Sequence, residues 1–305
     1  MISNSLITIN ELTTGQVASI AEYITDFTVS YTLDGTTEIS FNVIDPDMTF
    51  FKNNYFQIRR LMTYKGQLFE IAAVEIGRGP GESPQLTIQA RSAFIQLMKR
   101  DKKPSAIGGA SAYDFARLTA ARFFLQFYGQ SSPTVQSSFQ ASSNNSDESV
   151  WDVLGRAAGS LQYACFESDG SLFFASQSFL LGKLGIDTDP SNIFTASGSI
   201  SDFGINTLQY IPVTYPTPST EKRFICLDMP RIRRSENDPL EGEGSIIMDR
   251  TNAVNIRPGM TIGLKGMHTF DGLYIVSQVE FQEGVPDPVN VTFRTPITPD
   301  PKKVK

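Results

Sequence analysis

Residues 145–175, NSDESVWDVLGRAAGSLQYACFESDGSLFFA, change hydrophobic period halfway along. Val150, Leu154, Ala157, Ala158 and Leu161 recur at helical spacing as one apolar stripe, which Trp151 widens. The stripe predicts a helix starting near residue 147. Asn145, Ser146 and Asp147 offer side-chain oxygens to its first free amides, and Glu148, three after Asn145, completes a possible capping box. After Leu161 the period falls to two, with Tyr163, Cys165, Leu172 and Phe174 alternating around Ser168-Asp169-Gly170-Ser171. That pattern is a hairpin with a glycine in its turn.

On both sides the chain has strand periodicity. In ITDFTVSYTL (24–33), Phe27, Val29, Tyr31 and Leu33 share one face, and Asp34-Gly35 turns the chain into TTEISFNV, where Ile39, Phe41 and Val43 alternate again. Further strands are expected at 56–64, 67–76 and 85–90, separated by Lys65-Gly66 and the loop GRGPGESP (77–84). A short amphipathic helix with Ala93, Phe94, Leu97 and Met98 closes this region. KRDKKP (99–104) reads as a linker. A helix capped by Ser111 and Asp114 follows, its apolar face running through Ala112, Phe115, Leu118, Thr119, Phe123 and Leu125 to a stop at Gly129. From residue 191 strand character returns in ISDFGINTLQYIPV, KRFICLDM, GSIIMD, MTIGLKG, GLYIVSQVEF and VNVTFRTP. YPTPSTE (215–221) and RRSENDPLEGEG (233–244) read as exposed loops and ITPDPKKVK as a fraying tail.

The expected organisation is therefore α+β and mainly β: an antiparallel β-barrel or sandwich at 1–100, a small α+β domain of two helices and a hairpin at 101–190, and a second β domain at 191–305. The two β regions share a style of short glycine-bearing turns and alternating strands. This points to an old duplication, although no residue-for-residue alignment emerges.

Composition narrows the function. The chain has 305 residues, 40% of them apolar and 19% charged, which is enough for two or three folded cores. Its first residues lack the pattern of an export signal, and no run approaches a membrane span. A net charge of −6 runs against a grip on a phosphate backbone, which draws on cations. Cys165 and Cys226 are in no metal-ligand spacing and read as buried thiols.

Reactive constellations are sparse. His268 is the one histidine, placed in the turn KGMHTFDG without a nucleophile motif nearby, so a solvated loop residue is expected. Asp45 with Asp47 and Asp187 with Asp189 fit turns, and Asp147 with Glu148 fits a helix N-terminus. Gly77, Gly79 and Gly81 lack the Lys-Ser/Thr of a phosphate loop. Arg231, Arg233 and Arg234 are followed by Glu236, Asp238, Glu241 and Glu243, a self-neutralising surface. Trp151, Phe123, Phe124, Phe127 and Tyr128 sit at core spacing on helices. No catalytic, metal or cofactor-binding residue is assigned.

Three stretches carry a resemblance. Tyr55 to Leu97 contains QLFEIAAVE, LTIQARS and SAFIQLM in order; the middle helix and hairpin follow E-S-V-W-D-V-L-x-R-x-A and x-E-x-D-G-x-L-x-F; and Ile256 to Pro296 contains IRPGMTIGLKG, DGLYIVSQVEF and VNVTFRTP. Together they resemble the baseplate hub proteins of contractile-tailed phages and related injection systems. Two positions depart from that pattern: Glu70 follows Phe69 where a glycine is common, and Gln282 stands near a usual histidine.

The resemblance implies two tail-tube-like β-barrels flanking the small domain, and a homotrimer whose six similar barrels match a six-fold tail tube to a three-fold spike. The channel then passes tape measure protein and DNA without specific nucleic-acid binding. Implied partners are the tail spike protein, the tail tube or a tube-initiator protein, and baseplate wedge proteins. No cofactor and no membrane span are implied; the protein is made in the host cytoplasm and resides in the virion. Spike or wall-cleaving modules are expected on other chains. A carbohydrate-binding or adhesion module of a tail assembly is the alternative, and a wall hydrolase a third reading.

Overall fold

The structure, a computed structural model, describes residues 7–10, 17–19, 21–33, 35–77, 83–104, 107, 109, 111–131, 148–182, 210–214, 227–235, 238–265, 268–283 and 286–297. The N-terminal region contains strands β1 (Ile7–Asn10), β2 (Val17–Ser19), β3 (Ile24–Thr32) and β4 (Glu38–Ile44), helix α1 (Thr49–Lys52), strands β5 (Leu61–Tyr64), β6 (Gln67–Gly77) and β7 (Gln85–Ser92), and helix α2 (Ala93–Arg100). Alternation decides these strands: Phe27, Val29 and Tyr31 are buried while Thr28, Ser30 and Thr32 are half-buried. The strand expected at 56–64 forms only from Leu61, because a turn at Gln57–Arg60, with Arg59 at φ 72°, occupies its first half. Asp45 is buried and accepts from the Phe50 and Phe51 amides at 3.2 and 2.9 Å, so its carboxylate serves the start of α1.

The middle region holds α3 (Ala112–Arg122), β8 (Gln126–Gly129), α4 (Val150–Leu161), β9 (Tyr163–Ser168), β10 (Ser171–Ser176) and α5 (Gln177–Gly182). Four expectations need correction here. Helix α4 starts at Val150 and not near 147, because Ser149 caps it: Ser149 Oγ accepts from the Asp152 amide at 3.1 Å and Asp152 Oδ2 from the Ser149 amide at 3.0 Å. Glu148 instead pairs with Arg156 at 2.9 Å, and Asn145 to Asp147 lie outside the described residues. The third concerns α3, which ends at Arg122; residues 126–129 form a strand parallel to β10. The segment read as a linker is docked, with the Asp101 carbonyl accepting from the Val150 amide at 2.9 Å and its carboxylate 2.6 Å from Arg122.

The C-terminal region holds β11 (Tyr210–Thr214), β12 (Arg231–Ser235), β13 (Asp238–Met248), α6 (Arg250–Ala253), β14 (Thr261–Lys265), β15 (Gly272–Gln282) and β16 (Val289–Arg294). Of the stretch 233–244, expected as a loop, residues 233–235 and 238–244 belong to the antiparallel pair β12 and β13, with Arg233 opposite Glu243. Alternating charged side chains suit the solvated face of an outer strand as well as they suit a loop. The expected loop at 215–221, the expected tail from 298, most of KRFICLDM, and Cys226, Asp187, Asp189, Gly79, Gly81 and Glu236 lie outside the described residues.

The chain is α+β and mainly β, as expected, but among the described residues no separate closed barrel is found. Among the described residues thirteen strands share one sheet, ordered β12-β13-β16-β15-β3-β4-β7-β6-β5-β1-β2, with β14 on β15 and β11 on β14. Among the described residues this path is open. The reason lies in β3, whose two edges hold β4 and β15, so the edge a self-closed barrel would use is given to the other region. One large core accordingly mixes Val29, Tyr31, Phe41 and Ile71 with Ile262, Val276, Val279 and Phe293. Hairpin β9–β10 separates this core from a second: Phe166, Phe173 and Ala175 face the large one, whereas Cys165, Leu172 and Phe174 face a smaller one built with α2, α3 and α4. Each buried phenylalanine contributes about 2 kcal/mol.

The duplication is explicit in the backbone. β3-β4-α1-β5-β6-β7 and β12-β13-α6-β14-β15-β16 occur in the same order, and their strands are neighbours in the same order, β3-β4-β7-β6-β5 and β12-β13-β16-β15-β14. In the first repeat the Arg59 amide donates to the Ile71 carbonyl at 2.8 Å and the Ile71 amide to that of Arg60 at 2.9 Å; in the second, Gly259 and Met260 make the same pair with Val276 at 3.0 and 2.8 Å. The turns before them match too, Arg60 to Gln57 at 3.0 Å and Met260 to Arg257 at 3.2 Å, with Arg59 and Gly259 both left-handed. One residue later each long strand has a register irregularity, between Ile71 and Ala73 and between Val276 and Gln278.

Candidate functional site

The repeats meet on β15. Its first four residues pair with β14, and after the irregularity its last five, Gln278–Gln282, pair with Thr32–Thr28 of β3. The Leu33 amide donates to the Ser277 carbonyl at 2.8 Å, and the Glu283 amide to that of Phe27 at 2.6 Å, so the seam is closed at both ends.

Two groups of side chains lock it, and a third ties the hairpin to the first sheet region. Arg257, in the turn before β14, places Nε 2.7 Å from Asp169 Oδ2 and its guanidinium 4.3 Å above the Tyr31 ring, while Nη1 donates to the carbonyls of Val254 and Ile256. The other oxygen of Asp169 accepts from Gln67 Nε2 at 2.6 Å. One carboxylate thus joins the first sheet region, the hairpin and the second sheet region. Burial works against the charge on Arg257, but Tyr31 and Asp169 outweigh it and hold the guanidinium pKa above its usual value. Burial pushes the Tyr31 phenol up as well.

The second group centres on Glu283, whose Oε2 accepts from Tyr64 Oη at 2.8 Å and lies 3.1 Å from Lys65 Nζ and 3.3 Å from Arg250. Lys65 and Arg250 both stand over the Phe281 ring, at 5.6 and 5.3 Å. Burial, and then Glu283, raise the Tyr64 phenol. The third is Glu167, 4% exposed on β9, which accepts from the Gly170 amide at 2.9 Å and Thr37 Oγ1 at 3.5 Å; burial raises its pKa to about 7.

The residues singled out in the sequence are placed elsewhere. His268 is exposed in a short 3-10 turn between β14 and β15. Arg231 is exposed and 3.8 Å from Asp228, and Arg234 lies over Phe270 at 4.8 Å. Trp151 and Phe123 pack against the smaller core, Phe127 meets Tyr113 edge to face at 5.3 Å, and Tyr128 stacks on Phe173 at 5.5 Å. Phe124, expected in a helix-borne core, is 89% exposed. It follows α3 in a left-handed conformation (φ 58°), which turns its side chain away from the core. Among the described residues, no three His, Cys, Asp or Glu side chains gather as a metal ion requires, and no helix is long and apolar enough to cross a membrane.

Composition alone does not reveal the joint, but two short patterns contain it. Glu167, Asp169 and Gly170 are the charged residues and glycine of E-x-D-G, and Arg257 opens R-P-G. What they do there is hold three parts of the chain rigidly together.

Solved structures share this fold. A tail protein from Neisseria meningitidis MC58 superposes with a TM-score of 0.56 at 12% identity, over 95% of this chain and 95% of that one. The two chains share a fold. A prophage tail protein from Listeria monocytogenes EGD-e matches with a TM-score of 0.55 at 8% identity, over 95% of this chain and 94% of that one. The 43 kDa tail protein of prophage MuSo2 from Shewanella oneidensis gives 0.53 at 8%, over 95% and 98%. No protein-family model matches the sequence. No curated protein matches it either.

Proposed function

We propose that the chain is a structural hub subunit of a phage tail baseplate or a related injection machine. Three copies form a ring that joins the six-fold tail tube, or a tube initiator, to the three-fold spike, and wedge proteins surround it in the virion. The observation that carries this reading is the duplicated sheet joined edge to edge, since a chain holding two equivalent units presents six of them in a trimer. The fold shared with those tail proteins supports it. No bond is made or broken by this chain in that role; its chemistry is the docking of surfaces. A net charge of −6 suits a channel through which tape measure and DNA pass without being retained.

Mass measurement tests this. The purified protein, alone and with its spike, is expected to run at three times 33.6 kDa or as a complex containing three copies. A monomer under both conditions overturns the reading.

A further inference from the structure

The two repeats differ in burial at matching positions. In the second, β3 covers the end of β15, and Val279 and Phe281 are 0% and 3% exposed. Their counterparts in the first, taking Ile71 as the equivalent of Val276, are Val74 and Ile76 on β6. Val74 is half-buried and Ile76 is 44% exposed. The turn shows the same contrast: Pro258 and Gly259 are buried, but Ile58 is 62% exposed and Arg59 is exposed. Among the described residues no strand lies on the β5 side of β6 beyond Ile71. At the other end of the sheet, β12, the repeat equivalent of β3, is paired on one edge only among the described residues.

We infer that β12 of a second copy of this chain pairs antiparallel with residues 73–77 of β6, reproducing between copies the β3–β15 joint made within one. This rests on the proposed ring and specifies its interface. The register follows from the repeat. Thr28 opposite Ser40, and Ser40 opposite Gln89, match Arg231 opposite Ser245, and Ser245 opposite Thr292, so residues 28–32 correspond to 231–235. Transferring the pairs Gln278–Thr32 through Gln282–Thr28 sets Ala73 opposite Ser235 of the neighbouring copy, Val74 opposite Arg234, Glu75 opposite Arg233, Ile76 opposite Ile232 and Gly77 opposite Arg231.

The chemistry of those pairs agrees with the pairing. An exposed carboxylate, Glu75, meets an exposed guanidinium, Arg233, and the exposed Ile76 meets the half-buried Ile232. Within one chain β6 and β12 stand seven strands apart in the sheet order, so the contact is between copies. It is also heterologous, one edge against a different edge, which excludes a two-fold dimer and builds a ring when the rotation between copies closes.

Charge reversal tests it. Glu75→Arg and Arg233→Glu, each on an exposed strand edge, are compared with wild type and with the double variant by sedimentation across a concentration series, with thermal melting as a control of folding. Each single variant is expected to weaken association roughly tenfold or more by placing like charges together, and the double variant to restore it. Single variants that associate as wild type does would overturn this interface while leaving the trimer in place. So would a double variant no better than the singles. A wild-type chain that stays monomeric, alone and with its spike, would overturn both.

Discussion

Phe124 shows how one side chain can run against the stability of its own chain. Its amide donates to the Ala121 carbonyl at 3.3 Å and the Leu125 amide to that of Ala120 at 2.9 Å, the paired bonds of a helix end that favours glycine at residue 124. The accompanying apolar contact belongs to Leu125 and Ala120, both buried, so the Phe124 ring adds strain and exposed surface without packing. Phe124→Gly is expected to stabilise the protein by about 1 kcal/mol, read as a higher denaturant midpoint. A lower midpoint would mean the ring packs in solution. Glu167 bears on pH. Its carboxyl moves from the ordinary 4.5 to about 7 on folding, so the folded chain holds a proton that the unfolded chain has released between those values. The stability it contributes is complete below pH 4.5 and disappears as pH rises through 7. Glu167→Gln, neutral at every pH and still able to accept from the Gly170 amide, should melt higher than wild type at pH 8, by on the order of 2–3 kcal/mol, and lose the advantage at pH 4. Equal melting at pH 8 would show that water or a partner solvates the carboxylate.

Helix α4 was readable from its stripe because Val150, Leu154, Ala157, Ala158 and Leu161 all reached the smaller core, together with Val153. Its start was misplaced by one turn, since Asn145, Ser146, Asp147 and Ser149 all offer a side-chain oxygen ahead of the stripe and spacing alone does not choose among them. The reciprocal bonds of Ser149 and Asp152 make the choice. Ser149→Ala should cost about 1 kcal/mol, with the denaturant slope unchanged, and Ser149→Thr should recover most of it. No loss would move the cap upstream to the residues first expected. β8 was missed for a related reason: Phe123, Leu125 and Phe127 suit a helix face as well as a strand, and only pairing with β10 decides. The β12–β13 pair was missed because its charges suggested a loop.

At the scale of the molecule, the alternation of apolar residues identified nearly every long strand but could not say which edges meet. Gln278 Nε2 donates to Ser30 Oγ at 3.3 Å across 248 residues of chain, and no local period encodes such a partner. The duplication was legible only as a shared style of turn and strand, since equivalent positions keep a backbone role with different side chains, Arg59 against Gly259 and Ile71 against Val276. Arg257 and Asp169 lay within recognisable motifs, yet their meeting depends on the fold.

β15 has a mechanical side. It holds β14 along the first part of one edge and β3 along the rest, with β16 along the other, so the two halves of the sheet share a beam and have no hinge between them. A pull along the strand direction loads the β3 bonds together, in shear, whereas the margin at β1–β2 can peel one bond at a time. Under tension such a body frays from its rim while its centre stays whole.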